Sequence, residues 1–271
     1  MKRLGKIYTW LIMGFLYIPI FVLIVYSFNE SKSRSVFTGF TFKWYKELFS
    51  NRLILSSLGN TLLIALISSV LSTILGTAAA IGIQAMNKKA RSVIMNITYL
   101  PIIDPEIVTG VSLMLLFVYL RTHLHIPLEM GLITLSLAHI TFNVPYVILN
   151  VIPKLRQLDQ SVYEAALDLG CNPTQAFAKV VIPEIMPGII SGFLMAFTYS
   201  LDDFIISYFV SGPTSQTLPV TIYSMTRKKV SPEINALSTI IFIVVLAVLV
   251  MINLYDARQT KKKQARISQS F

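Results

Sequence analysis

The chain has 271 residues, of which 54% are hydrophobic and only 13% are charged. Soluble domains average about 25% charged residues, so this composition excludes most soluble enzymes and indicates a membrane protein. Lys and Arg outnumber Asp and Glu by 23 to 13. The basic residues cluster in short segments beside apolar runs, a pattern that indicates membrane topology. We therefore expect contact with membrane lipid and no nucleic-acid partner.

Six apolar runs are each long enough to cross a bilayer, for which a helix needs ~20 residues. The first run exceeds the ~7 to 15 apolar residues of a cleavable signal peptide, so we expect it to remain as a spanning helix. The sequence thus predicts an all-α membrane protein with six transmembrane helices in one domain over residues 1–271. The runs are approximately Ile7–Phe28, Leu58–Gln84, Ser92–Leu120, Gly131–Val151, Ile185–Val210 and Ala236–Tyr255.

An even number of spans places both termini on one side of the membrane. If the amino terminus is inside, the inner segments hold 14 of the 23 Lys and Arg residues, including those of the basic tail after Asp256. Because cytoplasmic segments carry the excess of Lys and Arg, both termini are predicted to be cytoplasmic. Trp44 and the loop at Arg227–Lys229 are then predicted to face outward.

The second run carries small residues at every fourth position. Such a strip lets another helix approach closely, and packing within the chain is favoured over contact with another subunit. The strip consists of Ser68, Ser72, Gly76 and Ala80.

The third run spans 29 residues, which is more than one straight span requires. Prolines interrupt helices, so we predict a kinked or broken helix with acids beside the break. The interrupting residues are Pro101, Asp104, Pro105 and Glu106.

Motifs for soluble chemistry are absent from the sequence. The chain has no nucleotide-binding pattern G-x-x-x-x-G-K-[ST] and no HExxH pattern, and Cys171 is its one cysteine. We therefore expect no ATP hydrolysis by this chain alone, no enzymatic activity, no cofactor and no metal site. His123, His125 and His139 are interpreted as packing or interface residues.

The long segment between the fourth and fifth runs has the signals of two short helices. Ser161 and Glu164 have the spacing of a capping box, which predicts a helix from Val162 that stops at Gly170. Asn172 then caps a second helix with Pro173 in its first position. Pro183 and Pro187 are expected to punctuate the exit into the fifth span.

This segment resembles the EAA loop of permease subunits in bacterial ABC importers. Glu164-Ala-Ala-Leu-Asp-Leu-Gly170 is followed after nine residues by Val180-Val-Ile-Pro183, which departs from the pattern only in Val180 for Ile and Ile182 for Leu. The resemblance implies the ABC importer type I permease fold, with cytoplasmic coupling helices at about 161–183 that dock on ABC ATPase subunits. A cap-only role for Glu164 remains an alternative. The implied coupling residues are Glu164, Ala165, Ala166, Gly170 and Pro183.

Segments from the first run to the last are similar to the second permease subunits of spermidine/putrescine importers. The resemblance implies a polyamine as substrate, a homologous permease subunit as partner in a heterodimer, and an extracytoplasmic polyamine-binding protein. It also implies the bacterial inner membrane as location. The similar segments include Tyr17–Ile20, Gly39–Tyr45, His139–Phe142, Ser200–Asp203, Ser211–Pro213, Ile222–Met225 and Val230–Leu237.

A polyamine is a flexible cation, so its path should offer carboxylates to the ammonium groups and aromatic faces to charges and methylenes. Asp202 and Asp203 follow Ser200 in the fifth run, ~22 Å along a helix from Pro187, which places them in the outer half of the membrane. All three are candidate path residues. The alternative is that the helix ends earlier and the acids face outer water.

Two weaker candidates lie elsewhere. Glu106 stands at the broken third run and matches an acid of the resembling family, whereas Asp104 does not; a helix-start acid is the alternative. Phe40, Phe42 and Trp44 alternate, so an extended segment would present three rings on one side for a cation or for the membrane interface. Trp44 is the preferred cation contact of the three.

Two other functions remain open. The same machine could import another solute, although an anion would favour basic residues inside the spans and none has one. A secondary transporter could use Asp202, Asp203 and Glu106 as proton relays, but it would leave the EAA-like loop unexplained.

Overall fold

The computed structural model describes residues 2–31, 36–104, 106–228 and 232–244, together with residues 246 and 250. Within these ranges the chain is helical, and its one β-type pairing is an isolated bridge between Asn29 and Phe40. The helices are α1 (Lys2–Ser27), α2 (Lys43–Ser50), α3 (Arg52–Ala85), α4 (Lys88–Ile103), α5 (Glu106–His123), α6 (Leu132–Gln157), α7 (Gln160–Asp168), α8 (Pro173–Ala176), α9 (Ile182–Asp202), α10 (Ile205–Val210), α11 (Leu218–Lys228) and α12 (Pro232–Val244).

Five described helical segments are long and apolar enough to cross a membrane. The sixth predicted run begins within α12, and its end lies outside the described residues, as do Pro105, Lys229 and the basic tail. The five segments are Gly5–Ser27, Arg52–Ala85, Glu106–His123, Leu132–Gln157 and Pro173–Asp202.

The third run is broken, as its composition predicts. Helix α4 ends at Ile103, and Asp104 adopts an extended backbone with φ −68° and ψ 138° before α5 begins at Glu106. Pro101 lies inside α4 without ending it, so the break falls three residues later than the proline itself.

Predicted boundaries of the second, fourth and fifth runs differ from the helices, and in the second run α3 begins at Arg52 instead of near Leu58. The fourth run was expected to end at Val151, but α6 continues to Gln157. The fifth run was expected to continue to Val210, but α9 ends at Asp202 and the short helix α10 begins at Ile205. Apolar residues continue on both sides of this second break, and only Asp202 and Asp203 mark it in the sequence, so the length of the apolar run alone does not reveal it.

The chain divides into two compact units, residues 1–52 with 222–271 and residues 53–221. In the second unit, α6 is the central helix, and half of its membrane-length window is buried. Its first half packs in a core with α3, α5 and α10, which includes Leu135 and Phe142. Its second half packs with α3 and α9 around Val147 and Val151.

The strip of small residues on α3 packs within the chain, which confirms the favoured interpretation. Ser68, Ser72, Gly76 and Ala80 are all buried. A Cβ on Gly76 would lie 2.6 Å from Cβ of Val147, so only glycine permits this approach of α3 to α6. The Ser72 hydroxyl donates to the backbone carbonyl of Ile140 over 3.3 Å.

A second small-residue strip, on α9, was missed in the sequence. Its members are four residues apart and all buried, and a Cβ on Gly192 would lie 3.2 Å from Cα of Val147. Helix α6 is therefore approached closely from two sides, by α3 and by α9. The strip consists of Gly188, Gly192, Ala196 and Ser200.

In the first unit, Trp44 is not part of an extended aromatic row. Lys43 begins α2, which turns Trp44 inward, where it is 1% exposed and its indole N–H donates to the Asn29 carbonyl over 2.6 Å. Phe40 and Phe42 are exposed, and their rings pack edge to face at 5.1 Å. The expectation of three rings on one side is therefore wrong, because the helix changes the period from two to 3.6 residues.

Candidate coupling loop and solute path

Helix α7 begins at Gln160, two residues earlier than predicted, and its cap is Asp159 instead of Ser161. The Asp159 carboxylate accepts from the Ser161 backbone N–H over 3.0 Å. Hydrogen bonds from the Ser161 hydroxyl and backbone hold the pKa of Asp159 below its usual range. This cap is therefore intact at neutral pH and is lost only when the pH falls through that lowered pKa.

The turn between α7 and α8 has the predicted geometry. Gly170 adopts φ +88°, which favours glycine because a Cβ there would clash with the backbone. Asn172 accepts from the Gln175 N–H over 2.8 Å, the Gln175 side chain accepts from the Asn172 N–H, and Pro173 takes the first helical position. The predicted second cap is thus confirmed.

Pro183 does not interrupt the exit into the fifth span. Helix α8 continues through a π-helical segment, Phe177–Val181, directly into α9, and Pro183 occupies the first turn of α9. Proline has no backbone N–H to donate and is tolerated in the first turn of a helix. The loop 161–183 is thereby connected to the fifth span by continuous helix from Pro173 to Asp202.

Glu164 lies on the exposed face of α7. It makes no hydrogen bond or ion pair with the residues that the structure describes, and the cap-only interpretation therefore fails, because Asp159 already performs that role. Ala165 is exposed beside it, and Ala166 is half-buried. Leu169 at the end of the helix is 85% exposed, so α7 presents both a carboxylate and an apolar side chain to its surroundings.

Asp203 occupies a buried position at the break between α9 and α10. Its side chain is 4% exposed and lies 3.4 Å from Nε2 of His139. Its carboxylate also accepts from the backbone N–H groups of Ile206, over 3.2 Å, and Ser207, over 2.7 Å. It therefore caps α10 and ties that helix to α6. The packing interpretation of His139 is confirmed.

Asp202 has different surroundings although it is the neighbouring residue. It is exposed in the last position of α9, and it has no hydrogen bond or ion pair within the described part of the chain. The two acids are thus separated by the end of the helix, with Asp203 directed inward and Asp202 outward.

Ser200 lies in a buried polar node at the crossing of three helices. Its hydroxyl is 2.9 Å from the Ser68 hydroxyl of α3 and accepts from the Asn143 amide of α6 over 2.7 Å. Asn143 is fully buried, and its Oδ1 has no partner among the described residues. The node links α3, α6 and α9 by hydrogen bonds between the two apolar cores of α6 and thereby favours one helix register.

Glu106 is exposed at the start of α5, beside the break in the third run. The break borders a cleft of about 560 Å³, in which Asp104 accepts from the Thr109 hydroxyl over 3.2 Å. The apolar walls of this cleft come from α4 and α6, and they include Pro101 and Phe142. The structure therefore gathers Glu106, Asp104 and part of α6 at one place.

Sequence reasoning missed the roles of Asn143 and Ser207 in these networks, and it interpreted His139 only as a packing or interface residue. His139 and Asn143 are four residues apart in a long apolar run, a spacing that places both on one face of α6. That face of α6 contacts Ser200, Asp203 and Ser207. The spacing of these three residues can also be seen in the sequence. The sequence did not indicate that α9 ends between these residues, at Asp202.

Comparison with known proteins supplies the context for this geometry. Residues 72–263 match the family model described as "Binding-protein-dependent transport system inner membrane component". The chain is 43% identical over 234 residues to the putrescine transport system permease protein PotI of Escherichia coli K12, which covers 85% of this chain and 83% of that protein. It is 35% identical over 250 residues to the spermidine/putrescine transport system permease protein PotC of the same strain, covering 92% of each.

Solved structures also resemble the chain. A chain of a bacterial ABC transporter involved in import of the acidic polysaccharide alginate matches with a TM-score of 0.71 at 20% identity, covering 95% of this chain and 96% of that one. An amino acid ABC transporter matches with a TM-score of 0.53, covering 80% and 99%. These likenesses show the fold, which is that of ABC importer permeases, and confirm the predicted fold class.

Proposed function

Because the chain belongs to the family of binding-protein-dependent transport system inner membrane components, we propose that it is the permease subunit of an ATP-driven importer for polyamines. The family is one of transport permeases and not of enzymes, and its members are multi-pass proteins of the inner membrane. The observation that carries the substrate is the similarity, over most of the chain, to permeases named for putrescine and spermidine transport.

The loop 161–183 docks on a separate ABC ATPase subunit in this proposal. Glu164 is exposed and unpaired among described residues, Gly170 sets the turn, and continuous helix joins Pro183 to the fifth span. A push on α7 and α8 is therefore transmitted along α9 toward its broken end at Asp202. The two capped helices move as a rigid unit, because backbone groups at their ends are hydrogen-bonded within the loop itself.

The proposed path uses the candidate residues in two ways. Asp202 and Glu106 are exposed and contact the cation, which needs fixed negative charge when it leaves water. Asp203, Ser200 and Trp44 are buried and position their surroundings: Asp203 and Ser200 tie α9 and α10 to α6, and Trp44 holds the loop at Asn29.

The complete importer contains this chain as half of the translocation path in our proposal. A homologous permease subunit forms the other half, two ABC ATPase subunits bind below, and an extracytoplasmic binding protein delivers the polyamine. Both termini and the coupling loop are cytoplasmic, and the whole chain acts as a single permease domain.

The test is uptake of radiolabelled spermidine and putrescine by cells whose only polyamine importer contains this chain. We expect uptake that requires the ATPase and the binding protein, and that the double variant Asp202→Asn/Glu106→Gln strongly reduces. Co-purification of the ATPase with each variant shows that the complex has assembled. Absence of polyamine uptake by an assembled complex with active ATPase would contradict the substrate and favour another solute.

A further inference from the structure

A pair of tyrosines lies on the surface shared by α6 and α9. The ring centroids of Tyr146 and Tyr199 are 4.5 Å apart with an interplanar angle of 49°. Phe142 supports both rings, at 5.3 Å from Tyr146 and 6.2 Å from Tyr199, and is itself only 5% exposed. Tyr199 is 37% exposed and Tyr146 is half-buried, so the pair forms an accessible aromatic ledge on a fixed base.

Each tyrosine of this ledge has one carboxylate in its neighbourhood. Glu106 is close enough to Tyr146 to interact with it electrostatically. Asp202 follows Tyr199 by three residues on α9, a spacing that makes neighbours of the two side chains on one helix face. Both acids are exposed, and neither has an ion-pair partner in the described part of the chain.

The ledge also adjoins the cleft at the broken third run. Phe142, the support of the two tyrosines, lines that cleft together with Asp104, and no described lining residue is basic. The surface therefore offers π faces, acceptor oxygens and apolar wall without a competing cation. These are the groups that an ammonium with an adjoining methylene chain needs, since the ring face attracts the charge and the apolar wall covers the stem.

We propose that Tyr146 and Tyr199, with Glu106 and Asp202 beside them, bind an ammonium group and the neighbouring methylenes of the transported cation. This inference rests on the proposed function and adds to it the residues that contact the methylene chain of the substrate. The carboxylates supply attraction to any cation, and the rings favour one whose charge is carried on a hydrocarbon stem.

The test compares Tyr199→Leu, Tyr146→Leu and Tyr199→Phe in the complete importer, with KM and maximal uptake measured for spermidine and putrescine. Leucine keeps apolar volume and removes the ring, so each leucine variant is expected to raise KM by about threefold to thirtyfold. Tyr199→Phe keeps the ring face and is expected to remain within about twofold of wild type, on the same reasoning.

Tyr119→Leu is the matched control. Tyr119 is 53% exposed and stacks on His123 at 4.6 Å, but it lies thirteen residues beyond Glu106 on α5, ~20 Å away along the helix. Co-purification of the ATPase and unchanged basal ATP hydrolysis separate a binding defect from misfolding.

The outcomes distinguish this inference from the proposed function. If wild type imports polyamines and the leucine variants keep the wild-type KM, the ledge is not a binding site although the polyamine assignment stands. If Tyr199→Phe is as defective as Tyr199→Leu, recognition by the ring face is wrong. If the assembled wild type imports no polyamine, the proposed function fails first and the ledge has no polyamine to bind.

Discussion

The two carboxylates at the end of α9 lie in different environments, although they are adjacent in the sequence. Asp203 is buried, caps α10 and lies beside His139, whereas Asp202 is exposed. The environment of each is decided by the helix end between them. Substitutions at the two positions should consequently separate stability from transport.

Asp203→Ala is expected to destabilise the protein, because it leaves the backbone N–H groups of Ile206 and Ser207 without their acceptor and removes the buried carboxylate beside His139. Loss of hydrogen bonds to a buried charge costs about 3 kcal/mol. Asp203→Asn keeps one acceptor oxygen and should recover part of this loss. Thermal unfolding of the detergent-purified complex measures the difference.

Asp202→Ala provides the contrast at the neighbouring position. We expect it to leave the unfolding temperature unchanged and to lower polyamine uptake, because the exposed carboxylate has no structural partner among the described residues. Equal destabilisation by both alanine variants would contradict the division between a positioning acid and a path acid.

At the scale of elements, the helices are linked mechanically in two ways: α3 and α9 pack closely on α6, and α9 is continuous with the loop that precedes it. Gly76 and Gly192 bring α3 and α9 against Val147 of α6, and the π-helical segment joins the coupling loop to α9 without a gap. We therefore expect a displacement of the loop to move the packed helices, because no flexible linker separates the loop from α9.

Gly76→Leu should disrupt this packing. A Cβ at Gly76 would lie 2.6 Å from Val147, and overpacking of this kind costs about 1–3 kcal/mol. Gly82→Leu is the control on the same helix, since a Cβ there meets nothing within 4 Å. A lowered unfolding temperature for the Gly76 variant alone is the expected result; equal values for both would show that α3 does not pack on α6 in this way.

Glu164→Ala should uncouple transport from ATP hydrolysis without unfolding α7, because Asp159 and not Glu164 caps that helix. We expect reduced ATPase co-purification and reduced uptake at normal membrane levels of the chain. Asp168→Ala is a control at an exposed acid one turn further along the helix. Wild-type uptake and ATPase binding in the Glu164 variant would remove the coupling assignment.

At the scale of the whole molecule, topology is the property that remains to be measured. In a variant with Cys171→Ser, a cysteine at Phe42 should be labelled from outside the cell, and one at Leu169 should be protected. Both positions are well exposed, at 58% and 85%, so accessibility is set by the side of the membrane. The reverse labelling pattern would overturn the predicted orientation.

Periodicity and local signals were sufficient for much of this molecule. The apolar runs, the break at Asp104, the packing strip through Gly76 and the turn at Gly170 are each encoded in a few neighbouring residues, through hydrophobicity, side-chain size or backbone freedom. The resemblance to ABC importer permeases was likewise carried by the contiguous EAA-like motif, and the resemblance to polyamine permeases by short segments from the first run to the last.

Tertiary structure alone decided where α9 ends, which side chains are buried and which distant residues are in contact. The end of α9 at Asp202, the burial of Trp44 and the meeting of Tyr146 with Tyr199 depend on residues far apart in sequence. A buried acid and an exposed acid have the same local sequence signal, because burial is a property of the packed surroundings and not of the residue. The sequence by itself therefore determined the apolar runs and the two short helices of the loop 161–183, and the packing of α6 against its neighbours decided which candidate residues are buried and which are exposed.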